Sequence, residues 1–599
     1  MKRTKIALVL STVFALSACF SDGDDGTTGP QGSQGPQGET GETGQPGQNA
    51  PLTVKASLIG RSVLNAESAE GAAEIVAYQE SKQWLYAINS STDTPTVEVI
   101  DLTNISPDGL SQDDAGVVNN TNLDVAFTID VATNTAGDAN SIAINNTFDV
   151  LAVAMAADTV GERGQIAFYD IGGTSPVFLK NVTVGYLPDA VAFSPNGRKL
   201  IVANEGEPSG DYTIDPEGSI SIIDLDENGM VPNSATELTF SGYNMAQAAL
   251  EAQGMKFTNP TGRTIKGQTL DISVAMDIEP EYVAVSADSK MAYVSLQENN
   301  GIAMVDLASN TIEVKGLGLK DWGMYGLDAS DKDGGINIRS YQNLYGMYQP
   351  DTIASFTWQG ASFFVTANEG DGREYFFDAA DEATCLAQGG LEFDEDDGCL
   401  SYIDEIRAED LTLGDAFNDI NNDDDDLGRL KVIEPLGDTN NDGVHEELYT
   451  YGARSFSIYD QNGNQVFDSG DDFERITSAI HGEAFNNDED ENEGDTRSDA
   501  KGPEPEALAV GYVGSKRYAF IGLERMAGIM IYDISNPYNV AFVDYFINRG
   551  TVEGEDITGD LAPEGMAFIE AEKSPTGEAL LVIGNEISGS VAVWQLEQE

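Results

Sequence analysis

Residues 187–206 read LPDAVAFSPNGRKLIVANEG: a proline–acid step, an apolar run, a Pro195-Asn196-Gly197 turn, a second apolar run and then Glu205. Short runs of Val, Ile, Ala and Phe bounded by Gly, Asn and Pro mark strands joined by tight turns. Two further runs, Gly218–Asp224 and Glu237–Ser241, complete four strands in meander order. The proline–acid step returns as Glu279-Pro280-Glu281, Gln349-Pro350-Asp351, Glu504-Pro505-Glu506 and Ala562-Pro563-Glu564, each ahead of an apolar strand. A second acid follows each at the end of a second strand, 16 to 22 residues on: Glu205 after Asp189, Glu298 after Glu281, Glu369 after Asp351, Glu524 after Glu506, Glu586 after Glu564.

First strands fall near Ile75, Ile142, Val191, Val283, Ile353, Leu508 and Met566, and third strands end in Asp101, Asp170, Asp224, Asp306, Asp460 and Asp533. Repeated four-stranded units predict an all-β protein, a β-propeller of seven four-stranded blades. Spread over residues 51–599, that is roughly 78 residues per blade, so the loops are generous. The last unit supplies only three strands, and Leu52–Ile59 has no partner in the first. This N-terminal strand is expected to close the ring as the outer strand of the final blade. The segment about 370–450 is irregular, with two extra strands that leave room for an eighth blade, and the acidic stretch Asn486–Asp499 reads as a solvated loop.

The chain has 599 residues, with 101 Asp+Glu against 31 Lys+Arg and a formal charge of −70. Nucleic acid and anionic lipid need a basic surface and are excluded as general partners. Most of the charge belongs to a solvated acidic surface; cation binding applies only to specific clusters.

Residues 1–18 have the form of a secretory signal, with basic Met1–Lys5 ahead of the apolar run Ile6–Leu16. Leu16-Ser17-Ala18-Cys19 resembles a bacterial lipobox, which implies cleavage before Cys19 and lipidation of its thiol. Phe20 follows, not Asp, so the inner-membrane retention signal is missing and the expected place is the outer membrane or cell surface. After a short linker to residue 25, residues 26–49 carry glycine at every third position, a collagen-like stalk, since only glycine fits the axis of a triple helix. It offers a route to a homotrimer and, extended, would lift the domain roughly 75 Å from its anchor at ~3.1 Å per residue. Cys385 and Cys399, the other two thiols, are expected to pair as a disulfide in an exported chain.

Val202–Glu207, Leu296–Gly301, Val365–Asp371, Gly452–Ile458, Asp468–Glu474, Arg497–Glu506 and Gly584–Gly589 resemble the bacterial choice-of-anchor I family. The likeness covers residues 52–599 and implies one conserved domain behind differing anchors. Some relatives sit beside a metallophosphatase or are labelled alkaline phosphatase-like, but the resemblance implies no catalytic residues.

With first strands innermost, Asp189, Glu205, Glu281, Glu298, Asp351, Glu369, Glu506, Glu524, Glu564 and Glu586 should converge on one rim of the channel. So many carboxylates need raised pKa values, basic partners or metal. Hard oxygen donors suit Ca²⁺, or another divalent ion such as Mg²⁺. Each acid could instead cap its own blade by accepting backbone N–H bonds. Arg373, Arg454, Lys501 and Arg525 lie in or beside the same motifs and could pair with the acids or hold an anionic ligand. A separate cation candidate is Asp438-Thr439-Asn440-Asn441-Asp442-Gly443, the first half of a calcium loop, with Tyr449 at the twelfth position and Glu446 or Glu447 to close the shell. The two histidines, His445 and His481, lie beside acidic loops, and no nucleophile elbow, phosphate-cradling loop or zinc spacing is present. The residues therefore point to a lipid-anchored, Ca²⁺-binding module for an extracellular ligand, or else to a metal-dependent phosphoesterase.

Overall fold

The computed structural model describes residues 52–64, 69, 71–91 and 94–599; the signal segment, Cys19 and the Gly-X-Y repeat lie outside the described residues. Seven four-stranded antiparallel sheets follow in chain order. Their first strands are Ala72–Gln79, Ala139–Asn145, Pro188–Phe193, Val283–Val285, Ile353–Trp358, Pro505–Val513 and Pro563–Ile569. Each first strand touches that of the next sheet, and the last touches the first, so these strands form a closed inner ring. Such a ring is a β-propeller.

The core is divided among the sheet interfaces. Ile201, Ile220, Val283 and Val294 fill the gap between the third and fourth sheets, and Ile59, Val76, Leu85, Leu580 and Val591 that between the seventh and first. Second strands are covered on both faces, which explains their unbroken apolar character: all of Val150–Met155 is buried. The ring closes as expected: Val54–Val63 pairs antiparallel with Ser590–Gln598 and is the outer strand of the seventh sheet. Thr53 and Glu599 exchange backbone hydrogen bonds at the end of that seam.

The fifth sheet takes its third strand, Ser455–Asp460, from beyond the irregular segment. That segment builds no further four-stranded sheet. It folds into small sheets, among them Glu374–Phe377 with Gly398–Ile403 and Glu392–Asp394, and Glu405–Arg407 with Lys431–Ile433. Cys385 and Cys399 are joined by a disulfide within it. A fully buried ion pair, Lys256 Nζ to Asp404 at 2.8 Å, ties the insert to the propeller, with Thr258 and Tyr451 also donating to Asp404.

The stretch 486–499 differs from expectation in part. Asn486, Asn487, Asn492, Ser498 and Asp499 are buried, and Arg549 donates to the Asp488 carbonyl and the Asn492 side chain. The asparagines bond to Ser498, to each other and to the Glu555 carbonyl, so the ends of the segment are packed, while Asp490, Glu491 and Glu493 remain exposed as expected.

Candidate metal centre

Three of the inner strands that open on a proline–acid step start with the same irregularity. In the third sheet Pro188 faces Asn204 and Val191 faces Val202, so Asp189 and Ala190 together oppose Ala203. The same offset recurs between Pro505 and Leu508 and between Pro563 and Met566. A β-bulge of this kind re-aims a side chain at a barrel rim, and the re-aimed residue is the acid. Leu187, Gln349, Glu504 and Ala562, the residues before four of the five prolines, hold positive φ, at 45°, 41°, 46° and 60°; Glu279, before Pro280, does not. Left-handed backbone costs a non-glycine residue about 1–3 kcal/mol and persists only where its surroundings enforce it. The repeated acid position is therefore a built feature of the fold.

The register places Glu74 and Asn140 at the equivalent positions of the first and second sheets. Neither follows a proline, so the Pro-acid phrase missed them. The charges then act on one another around the ring. Burial and the charges of Glu586 and Asp189 raise the Glu74 carboxyl to about 8. Burial and Glu298 raise Asp189. Burial, Glu298, Glu205 and Asp351 raise Glu281 far above the carboxylate range. Burial, Glu524 and Glu564 do the same to Glu506, and burial and Asp351 to Glu564. The ten expected acids thus act on one another electrostatically, and Glu207, Glu279 and Glu504 act on them too. These three flank the motif acids as Glu205-Gly206-Glu207, Glu279-Pro280-Glu281 and Glu504-Pro505-Glu506, a pairing readable in the sequence.

Two triads present one carboxylate oxygen per residue within 4.8 Å of one another: Asp351, Glu369 and Glu506, and Glu369, Glu504 and Glu524. They differ in compensation. In the second, Lys501 lies 2.5 Å from Glu369 and 3.5 Å from Glu504, Arg497 2.6 Å from Glu504, and Arg525 3.0 Å from Glu524. Against the effect of burial, Arg497, Lys501 and Arg525 hold the Glu504 carboxyl down to about 2. This triad is an ion-pair network. In the first, the shared Glu369 takes Gln297 at 2.9 Å, but Glu506 keeps a buried Oε2 with no hydrogen-bond partner. An orphaned buried carboxylate oxygen is costly, and a cation among hard oxygen donors would relieve it.

The four basic candidates are less available than the sequence suggests. Arg373 spends all five N–H donors on Asp277, Glu279 and the Thr258 carbonyl. Arg454 is bound to Glu474 and to the carbonyls of Asp328, Ser498 and Ala500. These two pin the insert and the 498–500 turn, so as anion-binding residues they are corrected to structural ones. Lys501 and Arg525 do reach the ring, but as partners of its acids.

In the loop 438–443, Asp438 accepts from the backbone of Asp442 and Gly443, Asp442 from that of Val444, and Asn440 donates to Glu446. Glu447 instead accepts from Tyr449. The loop's oxygens build its own turn, and among the described residues it forms no carboxylate group matching the axial triads.

The choice-of-anchor I domain pattern is matched over residues 74–537. Gigasin-3a of Magallana gigas is 32% identical over 184 residues, 28% of this chain and 64% of the relative. A mesenchyme-specific cell surface glycoprotein of Strongylocentrotus purpuratus is 26% identical over 345 residues, 53% of this chain and 43% of the relative. The chain thus spans less than two thirds of either relative's length. Among solved structures, the WD40 domain of Toxoplasma gondii coronin aligns at 9% identity and TM-score 0.39, covering 91% of this chain and 86% of that one. Kuenenia stuttgartiensis hydrazine synthase aligns at 12% identity and TM-score 0.39, covering 88% and 95%.

Proposed function

This chain belongs to the choice-of-anchor I domain family, and from that premise we propose that it is a surface-displayed binding module built round a divalent cation. The domain is a seven-bladed propeller whose axial acids hold Ca²⁺, carried on the collagen-like stalk from a lipidated Cys19. The observation that carries this reading is the triad Asp351, Glu369 and Glu506, drawn within 4.8 Å by three different strand ends while Glu506 Oε2 stays unpartnered. Oxygen-only donors with no histidine favour Ca²⁺ or Mg²⁺ over zinc or copper. Surface display is supported by the signal and lipobox sequence and by the sea-urchin relative, a cell-surface glycoprotein by its name.

Metal analysis of protein prepared without chelator tests the reading. Bound Ca²⁺ is expected in the wild type and a loss of at least one equivalent in Glu506→Gln; a metal-free wild type that gains no thermal stability with added Ca²⁺ would sink it. A phosphoesterase on the same ring needs a basic donor free to meet the phosphoryl group. The engagement of Arg373, Arg454, Lys501 and Arg525 with protein oxygens favours the binding module. No turnover of phosphomonoesters is expected with Ca²⁺ present. Turnover abolished by Glu369→Gln in a folded protein would reverse that preference.

A further inference from the structure

Away from the ring axis, a cavity of about 340 Å³ lies between the propeller and the insert. Its lining is mostly apolar: Met255, Phe257, Leu319, Met347, Leu436 and Tyr449. Three of these come from one small sheet. Leu319–Asp321 pairs antiparallel with Leu344–Met347, which sets Leu319 opposite Met347. Leu344–Met347 in turn runs parallel to Leu448–Thr450, which sets Tyr345 opposite Tyr449, with the two rings 5.8 Å apart. Gly254 and Gly437 also line the cavity, with φ of 92° and 99°. A Cβ on either would meet main-chain atoms, at 2.8 and 2.0 Å, so closely packed backbone fixes the cavity's edges. Met255 and Met347 are buried, whereas Leu319 is 38% exposed and Glu251, also in the lining, is exposed. The cavity therefore opens to solvent.

Apolar cavities of this size take small ligands, and a few polar groups decide which. The charged groups here are acidic. Glu251 lies in the lining, and Tyr449 Oη donates to Glu447 at 2.7 Å, which holds a second carboxylate beside that ring. Among the described residues no lysine or arginine lines the cavity. The two lysines next to lining residues in the chain are buried and turned elsewhere. Lys256 pairs with Asp404, and Lys320 donates to the carbonyls of Ala453 and Gly470. An anionic ligand would find no partner, whereas aromatic rings and carboxylates together attract organic cations. We propose that this cavity binds a small apolar amine in its ammonium form, with the hydrocarbon body among Met255, Met347 and Leu436 and the charge toward Glu251 and Tyr449. Adaptable methionines suit a ligand of variable shape. No residue of the axial triads lines the cavity, so the site is separate from the cation proposed for the ring and does not depend on it.

Calorimetric titration of the full-length protein with phenethylamine, phenethyl alcohol and phenylacetate, at neutral pH where the amine is protonated, tests this. The amine is expected to bind at least about fivefold tighter than the alcohol, and phenylacetate more weakly than either. Leu319→Trp, which fills the cavity from an exposed position, should abolish amine binding; Leu436→Trp serves if that variant does not fold, judged by circular dichroism. Glu251→Gln should weaken the amine about threefold and leave the alcohol unchanged. No binding of the amine, or equal affinity for amine and alcohol, overturns the proposal, as does an unchanged amine affinity in Glu251→Gln. Amine binding that survives Leu319→Trp but is lost in Glu506→Gln assigns the amine to the axial acids and also overturns it.

Discussion

At the scale of single residues the molecule concentrates negative charge where water is scarce, and this sets its response to pH. Glu74 titrates near its ordinary 4.5 in the unfolded chain and near 8 in the fold. Between those values the folded state binds more protons, so its stability falls as pH rises. In chelator, the melting temperature should therefore be higher at about pH 5.5 than at about pH 8, and Glu74→Gln should flatten the slope. An unchanged slope in Glu74→Gln would show that Glu74 does not titrate in the folded protein. Saturating Ca²⁺ should also flatten it, since a bound cation keeps the carboxylates ionised. The acids themselves were legible because proline precedes five of the ten and each of the other five ends the strand that follows. Glu74 follows Ala73, and the second sheet carries Asn140 at the equivalent position, so neither could be read from the phrase. The pairing that consumes Arg373 and Arg454 was not legible either, because their partners are up to 126 positions away in the chain.

Among the strands, the closing one is the most exposed to insult. Ile59 is fully buried between the seventh and first sheets. Ile59→Ala should cost about 2–5 kcal/mol, read as a shift in denaturant midpoint; a shift below about 1 kcal/mol would mean the seam contributes little. Turns offer the opposite lever. Gln359 and Gly360 join two strands of the fifth sheet with φ of 49° and 83°, the left-handed pair that a two-residue hairpin turn requires and that Asn-Gly fills best. Gln359 is exposed, so Gln359→Asn should raise the midpoint by about 0.5–1 kcal/mol; a fall would show that its side chain has contacts of its own. The strands and their meander order were readable because covered sheets demand unbroken apolar runs. The insert was not, since its short strands gain their order from Asp404 and Tyr451 rather than from a repeat.

At the scale of the whole molecule, stability is shared among interfaces between neighbouring sheets, and the insert is secured separately. Replacing both Cys385 and Cys399 by alanine should destabilise the insert by about 2–4 kcal/mol. Hydrogen exchange should then quicken across residues 374–403 while the sixth sheet stays protected; uniform quickening would make the insert part of the ring's own cooperative unit. The closure by Val54–Val63 on Ser590–Gln598 has a consequence for biogenesis. During synthesis, Val54–Val63 has nothing to pair with until Ser590–Gln598 has been made. For nearly the whole of that interval it presents an open edge, of the kind that recruits wrong partners. A chain cut short anywhere before residue 590 keeps that edge permanently.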